Sequence, residues 1–591
     1  MYILGVSCYF HDAAAAIICD GQLIAAAEEE RFSRKKHDYN FPKSAIQFCL
    51  ETANITPDKL DYVVFYEKPF VKFQRILLTI LKEFPHSQRV FTDAIRTWLL
   101  DKLWIKGLLL EKFNIAEDRV LFLDHHLSHA SGAFLISPFK ESAILTVDGV
   151  GEWATTSVGH GSNTKITLLE EMVFPFSVGL LYSTFTAFLG FEVNEGEYKV
   201  MGMAPYGKPN YVDKIYKIVD IADDGSFSLD MDYFAYHRSS TTSYSKKFVK
   251  LFGPPRPPKL HFFTKSSGYP SYFGEKPENY DELCEKNQYY ADLASSIQDI
   301  TEEILVKMAN YLYKKTHLDK LCIGGGVALN CVANARILRE TPFKQIFIQP
   351  ATGDSGGAVG AALYLWNSIL GNKRDFVMNH ACWGKRYSNQ YIKNFLDSLK
   401  IKYKFIQNEN ELIEKVTNAI IDGKVIGWFH DRFEWGPRAL GNRSILADPR
   451  REDMKDIINT KIKFREPYRP FAPSVLVEYS EDFFELPQTI ENYPARFMLL
   501  TTNVKKDKIP KIPAITHIDG TARIQTVFRD TNPRYYKLIE NFYKKTEIPL
   551  LLNTSFNLKG EPIVNTPENA YSTFTRSELD MLVLENFIVK K

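Results

Sequence analysis

The order of hydrophobic and polar residues predicts short strands and amphipathic helices along a chain of 591 residues. Three apolar segments at the N-terminus, YILGVS, AAAAII and QLIAAAEEE, predict strands, with a hairpin turn at Asp20-Gly21. A helix is expected from about Lys43, a buried strand at 62–67, and helical spacing over 74–115. Alternating strands and helices of this kind predict an α/β fold.

A second strand-turn-strand pattern at 143–158 resembles the one at the N-terminus. In both, an apolar strand precedes an acidic or glycine-containing turn, and another apolar strand follows it. This layout predicts an internal duplication; the alternative is two hairpins that merely look alike. Residues 230–285 are polar, aromatic and proline-rich, which predicts a long excursion or lid.

The composition changes near 371–385, and we place a domain boundary there. A chain of this length exceeds one hydrophobic core, so several domains are expected. Upstream, a helix at about 288–315 leads to a strand KLCIGG and to glycine-rich turns. Downstream, strands and helices alternate again. The sequence therefore predicts two domains, 1–375 and 376–591.

Composition and charge narrow the class of protein. Hydrophobic residues make up 45% of the chain and charged residues 24%, which is typical of a globular protein. The formal net charge of +2 gives no support for a nucleic-acid partner, and no apolar run reaches the length of a membrane span. The seven scattered cysteines form no disulfide framework, and the N-terminus does not resemble a signal peptide. We expect a cytoplasmic protein.

Positive charge is concentrated in the segment 434–469. Its cations are Arg438, Arg443, Arg450, Arg451, Lys461, Lys463, Arg465 and Arg469. Glycines and prolines break the segment into turns, where arginine and lysine side chains could converge on a phosphorylated small molecule. The alternative is a solvated basic loop. Small polar residues, Asn553, Thr554, Ser555 and Asn557, follow a second apolar run and could complete such a site.

Two histidines point to a metal site in the N-terminal half. His125 and His129 are four residues apart, and they share one face if this segment is helical. A carboxylate must complete the site, and Asp354, at a strand end between glycines, is the best candidate, with Asp148 second. The alternatives are structural or capping histidines, and a helix-capping role for Asp354.

Other residues allow two interpretations each. Asp12, beside His11 at the first turn, could take a proton from a hydroxyl group or could simply form the turn. Lys199 could reach a phosphate or could be solvated. Trp435 and Tyr468 could stack on a base or could belong to the core.

A set of motifs, in order, covers nearly the whole chain. They are GVSCYFHDAAAAII, EEERFSRKKHD, DHHLSHASGAF, VDGVGEWAT, EYKVMGMAPYG, GGVALN, GDSGGAVGAA, EWGPRALGNRSILADPR, KFREPYRPFAPSVL, DGTARIQTV and LLNTSFNLKGEPIV. With these motifs the chain resembles the O-carbamoyltransferase family, which includes nodulation, cephamycin and tobramycin carbamoyltransferases. The resemblance implies a duplicated Kae1-like domain of the actin and sugar-kinase type, followed by a YrdC-like α/β domain.

The resemblance also implies a two-step reaction. The C-terminal domain would make carbamoyladenylate from carbamoyl phosphate and ATP with Mg²⁺, and the N-terminal domain would pass the carbamoyl group to a hydroxyl group of a small-molecule natural product. The implied phosphate-binding residues are Arg438, Lys463, Arg469, Arg523, Asn553 and Ser555, of which Lys463 and Arg469 would be catalytic. An iron or other divalent ion would be held by His125, His129 and Asp354. The implied N-domain nucleotide site contains Gly324, Gly325, Gly326 and Asn330. Asp12 as catalytic base is our inference from its position.

Two other functions remain open from the sequence. One is a threonylcarbamoyl-AMP enzyme acting on tRNA, which the nearly neutral charge disfavours. The other is a non-catalytic nucleotide-binding regulator. The acceptor cannot be identified, although its pocket is expected to be lined by 66–115 and 230–285. The sequence leaves a homodimer open.

Overall fold

The protein folds into two compact units. The computed structural model describes residues 1–100, 102–258, 260–486 and 492–591. The first unit comprises Met1–Glu29, His37–Ser267 and Pro277–Met378, and the second comprises Glu30–Lys36, Gly268–Lys276 and Asn379–Lys591. Two short segments from the first half of the chain thus belong to the second unit. The predicted division into 1–375 and 376–591 does not include this exchange of segments.

The first unit contains two sheets with the same topology. The strands of the first sheet are β1 (Tyr2–Ser7), β2 (Ala14–Cys19), β3 (Gln22–Glu28), β4 (Tyr62–Phe65) and β5 (Val120–Phe122). The strand order is β3-β2-β1-β4-β5; β1 is antiparallel to β2 and parallel to β4. Asp20 and Gly21 form the predicted hairpin turn, with φ of 47° and 79°.

The second sheet repeats this arrangement. The strands that follow are β6 (Glu141–Val147), β7 (Ala154–Ser162), β8 (Lys165–Val173), β9 (Val219–Ile221), β10 (Phe227–Leu229), β11 (Lys320–Gly324) and β12 (Gln345–Phe347). The sheet order is β12-β11-β6-β7-β8, with β6 antiparallel to β7 and parallel to β11, while β9 and β10 form a separate pair. The shared order and directions confirm the predicted duplication.

Helices cover these sheets. Up to Met378 they are α1 (Glu30–Ser33, in the second unit), α2 (Lys43–Ala53), α3 (Pro69–Lys82), α4 (Gln88–Leu100), α5 (Ile105–Phe113), α6 (His125–Phe134), α7 (Val178–Phe188), α8 (Glu197–Met203), α9 (Val212–Ile215), α10 (Lys246–Phe252), α11 (Tyr280–Thr316), α12 (Cys331–Glu340) and α13 (Asp354–Leu363). The helix expected at 288–315 therefore begins earlier, inside the predicted excursion.

Helices α6 and α13 pack directly on each other, and α13 also lies on β1 and β2. Their backbones approach closely because small residues line the contact. A Cβ atom on Gly360 would lie 2.1 Å from the carbonyl oxygen of Ser128 and 2.6 Å from the amide nitrogen of Gly132. This packing brings the first turns of the two helices together.

The second unit is built on one mixed sheet. Its strands are β13 (Lys404–Phe405), β14 (Ile426–Phe429), β15 (Arg443–Ala447), β16 (Ala472–Leu476), β17 (Thr501–Asn503), β18 (Thr521–Arg523), β19 (Gln525–Val527), β20 (Leu550–Ser555), β21 (Met581–Leu584) and β22 (Phe587–Lys590). The sheet order is β13-β22-β21-β14-β15-β20-β16-β19, and β17 pairs with β18. The apolar run at 581–589 forms a hairpin of two strands, because Glu585 turns the chain with a φ of 50°.

The helices of the second unit follow the strands in the predicted alternation. They are α14 (Asn389–Ser398), α15 (Glu409–Ile421), α16 (Met454–Ile458), α17 (Ser480–Phe483), α18 (Tyr493–Arg496), α19 (Pro533–Thr546) and α20 (Pro567–Thr575). Mixed sheets in both units confirm the α/β class. Across the described ranges, each helix is too short or too polar to cross a lipid bilayer.

Candidate active site

Helix α6 begins at the first histidine of the predicted pair. The carboxylate of Glu152 accepts the backbone N–H of His125 at 3.1 and 3.2 Å, and it also accepts the N–H of Lys68 at 2.7 Å. An acidic side chain at this end satisfies unpaired amides and complements the helix dipole. The helix therefore contains both His125 and His129, and their spacing of four residues places them on the same face.

Four buried side chains converge between α6, α13 and the end of β6. His125 Nε2 lies 3.0 Å from His129 Nε2 and 3.2 Å from the Oδ2 atom of Asp148. The Oδ1 atom of Asp354 lies 3.6 Å from the first imidazole nitrogen and 3.8 Å from the second. One ligand atom from each of the four residues falls within 4.8 Å of the others.

This geometry fits a divalent metal ion. Ligands about 2.1 Å from an ion lie about 3.0 Å apart at right angles and about 3.4 Å apart in a tetrahedron, close to the observed separations. Asp354 Oδ2 and His129 Nδ1 are buried, and neither forms a hydrogen bond with any described residue. Burial lowers the pKa of His125, but hydrogen bonding to Asp148 and Glu67 and the charge of Asp354 raise it to about 10. The negative potential of these carboxylates, which favours a proton on His125, also favours a metal cation at the same place.

A second layer of charges surrounds this group. Glu67 Oε2 lies 3.6 Å from His125 Nδ1 and accepts from Lys72 Nζ at 2.5 Å, with both side chains buried. Burial raises the pKa of Glu67, but the charge of Lys72 and hydrogen bonding to His125 bring it to about 2. The Nδ1 edge of the His125 imidazole thus faces an ionised carboxylate. A carboxylate in this position orients a metal-ligating histidine and makes it a stronger metal ligand.

The glycines predicted to form an N-domain nucleotide site lie at the end of β11. Gly325 has a φ of 95°, and a Cβ there would lie 2.2 Å from the carbonyl oxygen of Val147. The N–H of Gly326 donates to Asp148 Oδ1 at 2.8 Å, so this amide supports a predicted metal ligand. Asn330 caps α12 through the N–H of Ala333. At Gly324, a Cβ would lie 2.8 Å from the carbonyl oxygen of His129, so this glycine allows β11 and α6 to approach closely.

Asp12 lies at the turn after β1, where both of its oxygens are engaged. Oδ2 is 2.7 Å from His11 Nδ1, and Oδ1 is 2.9 Å from His37 Nδ1. Burial raises the pKa of Asp12, but the positive charge and hydrogen bond of His11 and the hydrogen bond of His37 depress it well below its usual range. A carboxylate with such low proton affinity is a poor base, so these contacts argue against the predicted direct role.

Two arginines of the segment 434–469 have structural partners close to them in the sequence. Arg443 is buried and donates to the carbonyl oxygens of His430 and Asp431 at 2.7 and 3.0 Å. Arg450 forms a bidentate pair with Asp448, at 2.9 and 2.6 Å. These arginines stabilise the local fold, which explains part of the charge that the sequence analysis assigned to ligand binding.

Lys463 lies beside the small polar residues at the end of β20. Its Nζ atom donates to the side chains of Ser555 and Asn557, at 3.2 and 2.8 Å, and to the carbonyl oxygen of Asn557 at 3.1 Å. Burial, followed by the charges of Arg465 and Arg469, lowers the pKa of Lys463 well below its usual value. The structure thus joins Lys463 with Ser555 and puts Arg469 close enough to act on its charge.

Asn553 forms a separate polar network. Its amide nitrogen donates to the side chains of Ser474 and Gln525, at 3.0 and 3.2 Å, and to the carbonyl oxygen of Ala439 at 3.2 Å. Its Oδ1 atom is buried and receives no hydrogen bond from the described residues. Arg438 precedes Ala439, and Arg523 ends β18 two residues before Gln525. The remaining predicted phosphate ligands thus lie along the chain beside this network.

Of the two interpretations of Trp435 and Tyr468, the structure supports the one that places them in the core. Trp435 and Tyr468 are both fully buried. Lys199 is half-buried on α8, with its Nζ 5.7 Å from the ring centroid of Phe191. Neither observation supports base stacking or a phosphate contact at these positions.

Two family models together match most of the chain. The family model described as carbamoyltransferase N-terminus matches residues 2–363, and the model described as carbamoyltransferase C-terminus matches residues 417–591. The chain belongs to the carbamoyltransferase family. It is therefore an enzyme of the transferase class, and the predicted resemblance is confirmed.

Two relatives of this carbamoyltransferase match nearly the whole chain, and a third matches less than half of it. An uncharacterized protein of Synechocystis, sll1178, is 46% identical over 100% of this chain and 97% of its own. The nodulation protein NolNO of Sinorhizobium fredii is 37% identical over 99% of this chain and 79% of its own. A 3′-hydroxymethylcephem-O-carbamoyltransferase of Amycolatopsis lactamdurans is 32% identical over 42% of this chain and 44% of its own.

Sequence reasoning missed two groups in this carbamoyltransferase and ranked a third residue too low. Glu67 ended a predicted strand and Lys72 lay just before a predicted helical stretch, and no spacing linked either of them to the histidines. His37 lies 25 residues after Asp12, in a loop. The run EEERFSRKKHD is a family motif and was the one signal that could have pointed to it. Asp148 was ranked second to Asp354, whereas the structure brings both to the same point.

Proposed function

We propose that this carbamoyltransferase is an ATP-dependent O-carbamoyltransferase. It would form carbamoyladenylate from carbamoyl phosphate and ATP, and then transfer the carbamoyl group to a hydroxyl group of a small-molecule natural product. The observation that carries the proposal is the buried group His125, His129, Asp148 and Asp354, which lies in the region matched by the carbamoyltransferase N-terminal model.

The adenylation step is assigned to the second unit, as a YrdC-like domain. Water would release phosphate from carbamoyl phosphate, and the resulting carbamate would attack the α-phosphorus of ATP and expel pyrophosphate. Lys463 and Arg469 would balance the charge that develops on the phosphoryl oxygens. Arg438, Arg523, Asn553 and Ser555 would complete the binding site. Lys463 supports this role because it is buried with a hydroxyl and an amide group that could also contact a ligand.

The transfer step is assigned to the first unit, as a Kae1-like domain. His125, His129, Asp148 and Asp354 would hold Fe²⁺ or another divalent ion, which when bound supplies Lewis-acid polarisation of oxygen. Gly324, Gly325, Gly326 and Asn330 would lie beside the nucleotide, because glycine lets a ligand approach the backbone closely. ATP would enter with Mg²⁺. A cytoplasmic location and a homodimer remain predictions.

The alternative is a threonylcarbamoyl-AMP enzyme acting on tRNA. The net charge of +2 disfavours it, since tRNA binding proteins present a concentrated basic surface. Supplying bicarbonate and threonine in place of carbamoyl phosphate separates the two reactions. AMP release under those conditions alone would favour the alternative.

The experiment that tests the proposal measures pyrophosphate and AMP, the two products formed from ATP. The purified protein is incubated with carbamoyl phosphate and α-labelled ATP, with and without sugar alcohols as acceptors. We expect pyrophosphate release that depends on carbamoyl phosphate, and AMP with a carbamate ester that depend on the acceptor. Absence of carbamoyl-phosphate-dependent pyrophosphate release from metal-loaded protein would refute the proposal.

A further inference from the structure

Helix α3, in the first unit, buries charged side chains and exposes apolar ones. Its cations Lys72 and Arg75 are buried, with exposed fractions of 1% and 6%. Phe70, Leu78 and Leu81 are 67%, 48% and 65% exposed. At 3.6 residues per turn these three side chains lie within about 80° of one another around the helix axis, and we call them the exposed arc. Large apolar side chains that share an exposed face indicate an interaction surface.

The buried cations fix the orientation of α3. Lys72 Nζ donates to Glu67 at 2.5 Å, and the guanidinium carbon of Arg75 lies 4.8 Å from the ring centroid of Phe174. Rotating the exposed arc inward would separate Lys72 from Glu67, and breaking a buried ion pair is strongly destabilising. The exposed arc therefore faces solvent until another molecule covers it.

A different side of α3 supplies the packing with α4. The hydrophobic cluster between the two helices comprises Ile80, Ala94, Trp98 and Leu103, with Phe73, Ile76 and Val90 packed against it. Phe73, Ile76 and Ile80 lie about 240–300° around the helix from Phe70, outside the exposed arc. The exposed arc is thus additional to the apolar side chains that hold α3 on α4.

The apolar exposure continues along the chain after α3. Phe84, just beyond the helix, is 68% exposed, and Trp104, between α4 and α5, is 64% exposed. With Phe70 and Leu81 they are the four most exposed large hydrophobic side chains among the described residues. All four fall between positions 70 and 104, so this exposure belongs to one region and is not spread over the protein.

The same region is basic. Residues 68–106 contain eight lysines and arginines and three acidic residues, in a chain whose formal net charge is +2. Lys82, at the end of α3, is exposed, as are Arg89 and Arg96, which are seven residues apart and so lie on one face of α4. A two-fold contact between copies of this region would bring like charges together, which disfavours self-association. An anionic lipid surface complements both the apolar and the basic side chains.

We propose that α3 and the residues that follow it bind the surface of an anionic lipid bilayer. The side chains that would enter the boundary between headgroups and acyl chains are Phe70, Leu78, Leu81 and Phe84. Because α3 has 14 residues, it would lie along the surface and not span the bilayer. Lys82, Arg89 and Arg96 would pair with the anionic headgroups. This contact concerns where the enzyme works and is independent of the proposed reaction.

The test measures binding of the full-length protein to sucrose-loaded vesicles by co-sedimentation. Vesicles of phosphatidylcholine alone are compared with vesicles that contain about one-third phosphatidylglycerol, at about 0.1 M and about 0.5 M NaCl. An apolar double variant combines Leu81→Ser with Phe84→Ser, and a charge variant combines Lys82→Glu with Arg89→Glu. Leu399→Ser is the matched control, because Leu399 is a 57% exposed leucine of the second unit.

We expect the wild type and Leu399→Ser to bind the anionic vesicles, and the higher salt concentration to weaken this binding. The apolar double variant should lower the partition coefficient by about tenfold, and the charge variant should bind anionic vesicles no better than neutral ones. Thermal unfolding of these variants should match the wild type, because the altered side chains are exposed.

Two results would overturn the inference directly: wild-type protein that stays in the supernatant with anionic vesicles, or an apolar double variant that binds them as well as the wild type. A third would be dimerisation of the wild type in sedimentation velocity, without lipid, that the apolar double variant abolishes. The exposed arc would then be an interface between copies of the chain.

Discussion

Replacing Gly360 by alanine tests whether close helix packing holds the metal site together. The new Cβ would lie 2.1 Å from the carbonyl oxygen of Ser128 on α6, so the helices must separate by about 1 Å to restore an ordinary contact. Such overpacking costs about 1–3 kcal/mol of stability. The same movement would carry Asp354 away from His125, and metal ligands tolerate only about 0.2 Å. We expect Gly360→Ala to lose most of its bound metal.

The assay measures metal content by elemental analysis after gel filtration, and the free energy of unfolding in urea. Unfolding is followed with a chelator present, so that metal binding does not contribute to the difference. Gly107→Ala is the matched control, because a Cβ there meets nothing within 4 Å. Inside helix α5 this change should be neutral or stabilising by up to about 1 kcal/mol. Wild-type metal content and stability in Gly360→Ala would refute the reasoning.

Three further predictions address the proposed steps and the second unit. Lys463→Ala should abolish carbamoyl-phosphate-dependent pyrophosphate release while metal content stays normal; Lys461→Ala, whose lysine is exposed and lies 3.4 Å from Glu578, is the control, and equal activity of the two variants would contradict the role of Lys463. Removing the tightly bound metal with a chelator, followed by gel filtration and addition of Mg²⁺ alone, should stop carbamate formation but leave pyrophosphate release, which is measured in the same reaction; loss of both together would place the removed ion in the adenylation step. Burial raises the pKa of Glu585, but its hydrogen bond with His430 and the charge of Arg534 bring it to about 2, so its stabilisation is present above its unfolded pKa near 4.5 and is lost as the pH falls toward 2. Glu585→Gln should therefore lower the free energy of unfolding by about 3 kcal/mol at pH 7 and much less at pH 3, and a pH-independent difference in urea would contradict this.

Local patterns predicted several elements of the site. The i, i+4 spacing of His125 and His129 indicated a shared helix face, and positions after apolar strands made Asp354 and then Asp148 the candidates to complete the group. The Asp20-Gly21 turn and the repeated hairpin also followed from local chemistry. These predictions held because helix periodicity and turn preference depend on neighbouring residues alone.

Charge density alone did not show which cations have structural partners. Arg443 is enclosed by backbone carbonyls, and the basic segment 434–469 contains several cations with structural partners of their own. A sequence shows how many cations a segment holds, but their use depends on which acceptors the fold brings to them. The acceptors of Lys463 lie nearly a hundred positions later in the chain, so its contacts follow from the fold and not from the segment.

The sequence by itself determined the α/β class, the duplicated hairpins, the family and the histidine pair, because each is written in residues close together along the chain. The tertiary structure alone decided that Asp148 joins Asp354, that Glu67 and Lys72 stand behind His125, and that Asp12 holds two histidines. The reason is physical: side-chain chemistry depends on burial and on atoms within a few ångströms. Helix packing through glycine, as at Gly360, sets those distances between residues far apart in the sequence.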